Sequence, residues 1–402
     1  MTGAGRRSRV PNPIEIESQS QQVGAGSLKI TGAIGEALRR AAARVRGTLL
    51  TLLVATISAG ASSMPPQEAA SGGVARARFL MGTRLSIETD DRAPEEAIED
   101  AFGEVARLEA ILSNWKGTSE ISRLNREAAR AAVRCSPELF GAIQLALGWA
   151  ERTGGTFDPT VEPLVVNLGL RGEDGRLPDG GDPCEAPGAG AAAAAEKGPG
   201  SAGSPVGWRH VRLDRRTRTA RFDTPGVGID FGGIGKGFAL DAAARVLRDH
   251  GVRRALLDFG GQVLAMGRPR DTPGWIVGIA DPNDRDKAVG VVAIADLSLA
   301  TSGNSERSIM TPRGAVGHIL DPATERPATF TGSVSVAARD ATASDALTKA
   351  LFVMGPEKGV AWADGREIAA LYLWRDGDGT LRRRPTRAFE NRYGGWTGES
   401  EN

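Results

Sequence analysis

The stretch Asp230-Phe-Gly-Gly-Ile-Gly-Lys236-Gly-Phe-Ala-Leu-Asp241 decides how this chain is read. Val227 and Ile229 lead into it as an apolar strand would. Ala239, Ala243, Val246 and Leu247 lead out of it with the spacing of an amphipathic helix that stops at Gly251. Four glycines and one lysine therefore lie between strand and helix. Glycine lets a backbone approach a ligand closely, and a helix N-terminus offers free N–H groups to an anion. Lys236 adds a positive point charge and is a candidate catalytic residue. The turn resembles a phosphate cradle but fits neither GxxxxGK[ST] nor GxGxxG, so by itself it also reads as a tight turn with a solvated lysine. Only seven of the 50 Lys and Arg residues are lysine, which weighs against a casual lysine here and at Lys349.

The bulk numbers narrow the field. A chain of 402 residues buries a large core in one domain or two. A net charge of +1 gives no case for a nucleic-acid partner. Three histidines and two cysteines exclude a zinc cluster. Cys135 and Cys184 read as free thiols, with a disulfide as the alternative.

Residues 1–61 read as a leader. Arg39, Arg40, Arg44 and Arg46 precede a short apolar run from Thr48 to Ser58, and Ala59-Gly-Ala61 has the small-x-small form of a cleavage site. The run is short for a membrane span, so the mature chain is expected to have none and to be exported to the periplasm or cell envelope. An uncleaved anchor or a buried helix is the alternative. Residues 62–73 read as a linker, 74–390 as one domain and 391–402 as a tail. Residues 172–205, rich in Gly, Ala and Pro, read as a disordered insertion.

Within the domain, 74–80, 84–89, 254–258, 275–280, 289–295, 334–338 and 369–373 read as strands, and 211–222 as a hairpin. Ile98, Phe102, Val105, Leu108 and Leu112 mark a helix from Pro94 to Leu112. Ser136-Pro137 starts another, which Gly154-Gly155 ends. The irregular alternation predicts an α+β fold with a mixed sheet.

Several short motifs fall outside core periodicity: Met81-Gly-Thr83, the polar loop from Ser113 through Trp115 to Asn125, Gly155-Thr156-Phe157-Asp158-Pro159-Thr160, Leu257-Asp-Phe-Gly-Gly-Gln262, Ala300-Thr-Ser302-Gly303, His318-Ile319-Leu-Asp321-Pro322 and Asp345-Ala-Leu-Thr348-Lys349-Ala-Leu-Phe352. Each also reads as a turn, a cap or a core edge. With the glycine loop, their order and spacing resemble the ApbE-like FAD:protein FMN transferases from about Val74 to Trp374.

That resemblance implies an α+β fold with flavin held between lobes, and a magnesium-dependent enzyme. Such an enzyme moves FMN from FAD to a threonine or serine hydroxyl of an acceptor protein. It implies roles by position. Trp115 and Met81 would flank the flavin ring. Thr156, Phe157 and Asp158 would hold its polar groups, and Phe238, Ser302 and Ile319 would line the dinucleotide. His318 would be the general base on the acceptor hydroxyl, with a structural hydrogen bond as the alternative. Magnesium would be held by the Gly235 carbonyl and by the aspartate and threonine of D-x-x-x-T. Asp345 matches that aspartate, but Lys349 stands where the threonine is expected. A protonated lysine is not a metal ligand. Either Thr348, at i+3, takes the ligand's place, or Lys349 occupies the cation position itself and pairs with Asp345 and phosphate. A flavin binder with weak or no transferase activity and a periplasmic FAD pyrophosphatase remain open as alternatives.

Overall fold

The computed structural model describes residues 73–394 apart from 91–92, 169, 171–203, 304–307 and 312–313. The expected leader, nearly all of the linker and of the insertion, the end of the tail and Cys184 lie outside the described residues.

Eight strands form the principal sheet: β1 (Val74–Leu80), β2 (Thr83–Thr89), β3 (Ala255–Phe259), β4 (Gln262–Met266), β5 (Leu297–Gly303), β6 (Ser333–Ala338), β7 (Ala369–Arg375) and β8 (Leu381–Pro385). Their order across the sheet is their order along the chain, and each pairs antiparallel with the next. The sheet is thus a meander whose connections carry everything else. Five helices of eight or more residues are described: α1 (Glu95–Leu112), α2 (Glu120–Glu127), α3 (Pro137–Arg152), α4 (Gly235–Asp249) and α5 (Ala341–Asp364). The fold is α+β, as the sequence led us to expect.

Strand periodicity of two sorts the core onto two faces. Leu257, Phe259, Leu264 and Met266 belong to the apolar cluster built by the helices, which includes Ile98, Phe102, Leu240 and Ala346. The alternate positions Val263, Ala265, Leu299, Leu371 and Leu373 belong to a second cluster with Trp275, Ile279 and Ile294 from a two-stranded hairpin (Trp275–Ala280, Ala288–Ile294). Both faces of the central strands are therefore covered, and the 260s read as a continuous apolar run.

The helix ends follow local chemistry. The Ser136 side chain caps α3 by accepting from the Leu139 N–H at 3.1 Å, with Pro137 in the first turn. His250 terminates α4 and bonds Asp100 of α1 through Nε2 at 2.9 Å, and Gly251 follows at φ +80°. α5 breaks at Gly355, φ +72°, just before Pro356. Beside that break the buried Tyr372 hydroxyl donates to the Leu351 carbonyl at 2.7 Å.

Two readings change. The approach Val227–Asp230 is not a strand, because its backbone is bound by asparagine side chains and the Pro159 carbonyl rather than by a sheet neighbour. Strands β4, β5 and β8 and helix α2 were not expected from the sequence; in β5, Ser298 and Ser302 face the helices and break the apolar pattern.

Helices α4 and α5 meet at their N-termini. A Cβ on Gly237 would lie 2.2 Å from the Ala341 carbonyl oxygen and 2.8 Å from the Thr342 Cα, both backbone atoms. No rotamer change relieves that overlap, so only glycine permits the crossing. Gly103, mid-way along α1, has nothing within 4 Å of the same position. Gly237→Ala should therefore lower unfolding stability by about 1–3 kcal/mol or more, the range for overpacking a tight contact. Gly103→Ala should raise it by roughly 1 kcal/mol through helix propensity. Urea denaturation of both variants tests this; equal effects would remove the crossing as the cause.

Candidate active site

The glycine loop is positioned from three directions. The buried Ile229 donates its N–H to Asn125 Oδ1 at 2.9 Å, and its carbonyl accepts from Asn125 Nδ2 at 2.9 Å and Asn114 Nδ2 at 2.8 Å. The next residue, Asp230, donates its N–H to the Pro159 carbonyl at 2.7 Å. An extended segment outside any sheet thus has its polar backbone satisfied by an amide side chain that offers donor and acceptor together. The chain then turns tightly, with the Ile234 and Gly235 N–H groups both donating to the Phe231 carbonyl, and α4 begins.

Across the helix crossing, two carboxylates exchange roles. Asp345 of α5 accepts the Gly237 N–H through Oδ2 at 2.9 Å. Asp241 of α4 accepts the Ala341 and Thr342 N–H groups, at 2.8 and 2.9 Å, and the Thr342 hydroxyl. Each helix supplies a carboxylate to the other's exposed N-terminal donors, which favour negative charge. Burial pushes Asp241 above the ordinary carboxylate range, opposed by these hydrogen bonds.

Asp345 is buried to 1% exposure, and its other oxygen, Oδ1, pairs with the Lys349 ammonium one turn along α5. The lysine side chain is 18% exposed, and its Cγ lies 3.5 Å from where a Gly233 Cβ would be. Phe157, also buried, stands 3.2 Å from that same point. Thr348 is fully buried; its hydroxyl donates to the Asp345 carbonyl at 2.8 Å and accepts from the Ser302 hydroxyl at 2.9 Å. The structure therefore brings Gly233, Gly235, Gly237, Phe157, Ser302, Asp345, Thr348 and Lys349 into one neighbourhood.

Lys236, in the first turn of α4, faces Asp258, near the end of β3, whose carboxyl is raised by burial against the opposing Gly261 N–H, Arg84, Lys236 and Arg285. The β3–β4 turn at Gly260 meets the Met81-Gly-Thr83 motif: the Gly260 N–H donates to the Arg84 carbonyl at 3.0 Å, and a Gly260 Cβ would lie 2.7 Å from Thr83 Oγ1. Met81 itself adopts φ +46° in the β1–β2 turn and is half-buried.

The remaining candidates are placed as follows. Trp115 is 58% exposed, next in the chain to Asn114, which grips Ile229. The Thr156 hydroxyl donates to the Thr153 carbonyl at 3.0 Å. Asp158 is buried and accepts from the Thr160 N–H and hydroxyl and from the Trp208 N–H, so its oxygens shape the backbone around it. Burial raises its carboxyl, and these bonds oppose the rise. Phe238 is half-buried on α4. His318 is half-buried and precedes Ile319, which shares an apolar cluster with Leu347 and Leu351 of α5. His210 instead bonds Asp223 and Thr224, each at 2.9 Å, away from the loop. Among the described cysteines, Cys135 is a buried free thiol raised to about 11 by burial.

Asn114, Asn125, Asp241 and Asp258 lie within the sequence motifs, yet the motifs do not announce their roles. The pairs that Asn114, Asn125 and Asp241 form are separated by about a hundred residues, so no local spacing announces them. Arg84 and Arg285 had no signal at all.

The described residues contain no group of three or more His, Cys, Asp and Glu able to hold a metal ion. No described helix is long and apolar enough to cross a membrane.

Known proteins resemble this chain over most of its length. Residues 81–372 match the model of the ApbE family. A FAD:protein FMN transferase of Treponema pallidum is 31% identical over 323 residues, covering 75% of this chain and 84% of that protein. One from Klebsiella pneumoniae is 29% identical over 343 residues, covering 83% and 93%. The crystal structure of the ApbE protein of Thermotoga maritima superposes with a TM-score of 0.69 at 27% identity, covering 80% of this chain and 99% of that one.

The Asn125 clasp generates a stability test. Asn125→Ala strands the buried Ile229 N–H, so it should cost about 1–3 kcal/mol. Asn114→Ala leaves the Ile229 carbonyl with Asn125 and should cost less. Denaturant unfolding of the two variants compares them, and the reverse order would show that Asn125 does not hold the loop.

Proposed function

The chain belongs to the ApbE family and is a flavin transferase, and we propose that its donor is FAD and its acceptor a threonine or serine hydroxyl of another protein, with AMP released. The observation that carries this reading is the meeting of two helix N-termini, a glycine loop and Lys349 in one neighbourhood, with Lys236 in the first turn that follows the loop. A diphosphate carries negative charge that such a place stabilises. Lys236 and Lys349 then face the bridging phosphates. Trp115, exposed beside the loop, offers the flavin ring a stacking surface, with Met81 at its other edge.

In this reading the acceptor hydroxyl oxygen attacks the FMN phosphorus. A new P–O bond forms, the P–O bond to the bridging oxygen breaks, and AMP leaves with that oxygen and the electron pair. His318 takes the hydroxyl proton. Magnesium is the cofactor that the family resemblance implies. The donors do not suit it as they stand: Asp345 has both oxygens engaged, Thr348 is tied to Ser302 and the Asp345 carbonyl, and Gly235 sits in the first turn of α4.

A pair of variants tests the assignment. His318→Ala should lower AMP release in the presence of acceptor by about 10²–10⁴-fold while FAD affinity stays near wild type. Trp115→Ala should do the converse, weakening FAD binding by roughly 1–3 kcal/mol, as for a base stacked on an aromatic ring. Flavin fluorescence titration and AMP quantification separate the two effects. Wild-type turnover in the first variant, or wild-type affinity in the second, removes that residue from its role.

We propose further that the chain acts outside the cytoplasm after cleavage near Ser62, on the strength of the basic flank, the short apolar run and Ala59-Gly-Ala61. Sequencing the N-terminus of protein from the envelope fraction should read from about that residue; intact chain confined to the cytoplasm would contradict export.

A further inference from the structure

We infer that the Lys349 ammonium is the resident cation of this site and that it replaces a divalent metal at Asp345. The inference concerns the same site as the FAD reading and rests on that reading only for the identity of the anion. A carboxylate as buried as Asp345 is costly without a partner charge and hydrogen bonds. It has both: Lys349 on Oδ1 and the Gly237 N–H on Oδ2. A metal at Asp345 would have to displace one of them. Displacing the amide strands a donor at the helix crossing, and displacing the ammonium puts two cations side by side.

The lysine is also held by its stem. Asp345 and Lys349 are four apart on one helix, so their side chains share a face. The stem runs past Gly233, where a side chain would meet Lys349 Cγ and Phe157. The slot between the glycine loop and α5 is thus filled by methylenes, with the ammonium at its end. Thr348 is no substitute ligand, since its hydroxyl proton goes to the Asp345 carbonyl and its oxygen accepts from Ser302 on β5. An ammonium has three protons, and Asp345 Oδ1 takes one. Two donors are left for phosphate oxygens. The site so built offers one fixed unit of positive charge that a chelator cannot remove.

The test uses the full mature chain after EDTA treatment and gel filtration, with Mn²⁺ as a spectroscopically visible probe. Wild type should take up no Mn²⁺ below roughly 1 mM, a threshold for weak binding. Its FAD affinity should be the same in EDTA as in magnesium. Lys349→Thr should gain one Mn²⁺ per chain, and its FAD affinity in EDTA should fall by about tenfold, or 1.4 kcal/mol, and recover with magnesium. Lys349→Met should lose the same affinity without recovery, because it removes the cation and supplies no ligand. Tight uptake of one Mn²⁺ by wild type that Asp345→Asn abolishes would overturn the inference, and that arm needs neither lysine variant to fold. A wild type that binds no FAD at all would sink the transferase reading, while Mn²⁺ uptake would still decide the lysine.

Discussion

The crossing of α4 and α5 at Gly237 is the constraint on which the rest of the site depends. Backbone meets backbone there, with no room for a side chain. Contact that close would bury helix N-terminal donors without partners. The reciprocal carboxylates solve this: Asp345 serves α4 and Asp241 serves α5. Removing either would leave buried N–H groups unpaired, and each such group costs of order 1–3 kcal/mol. Asp345 also pairs with Lys349, so helix packing and the chemistry of the site share one carboxylate.

The sheet supports the crossing through a polar seam. Gln262 on β4 donates to the Ala341 carbonyl at 2.7 Å. Ser298 on β5 bonds both the Val263 carbonyl, at 2.8 Å, and Ser344 on α5, at 2.9 Å. Ser302, four residues further on, holds Thr348. Apolar residues at these positions would pack as well but would not fix the register of α5 along the strands. The seam therefore sets where Asp345 and Lys349 stand opposite the glycine loop. It also explains why strand β5 escaped recognition in the sequence, since Ser298 and Ser302 interrupt what would otherwise be apolar core positions.

Much of the fold was legible because it is local. The apolar spacing of α1, the Ser136-Pro137 start of α3 and the Gly251 stop of α4 each lie within a single element. The glycine loop was legible as a special turn for the same reason. The segment before it was not. Val227 and Ile229 look like a strand, and both are buried, but the partners of that backbone are Asn114, Asn125 and Pro159. Period-two burial records that a residue faces the core; it does not record what its backbone bonds to.

The sequence by itself determined that Asp345, Thr348 and Lys349 share one helical neighbourhood, because a helix brings i, i+3 and i+4 together whatever surrounds it. It determined also that four glycines and Lys236 precede a helix start. It left open whether Thr348 or Lys349 would answer Asp345. Tertiary structure decided that, since Ser302, 46 residues away, takes the threonine oxygen, and Gly237, 108 residues away, takes the second carboxylate oxygen. Those partners are set by how the meander folds its connections back onto one face. The physical reason is that spacing along a chain fixes contacts within an element, whereas the choice among competing partners depends on which distant donors arrive.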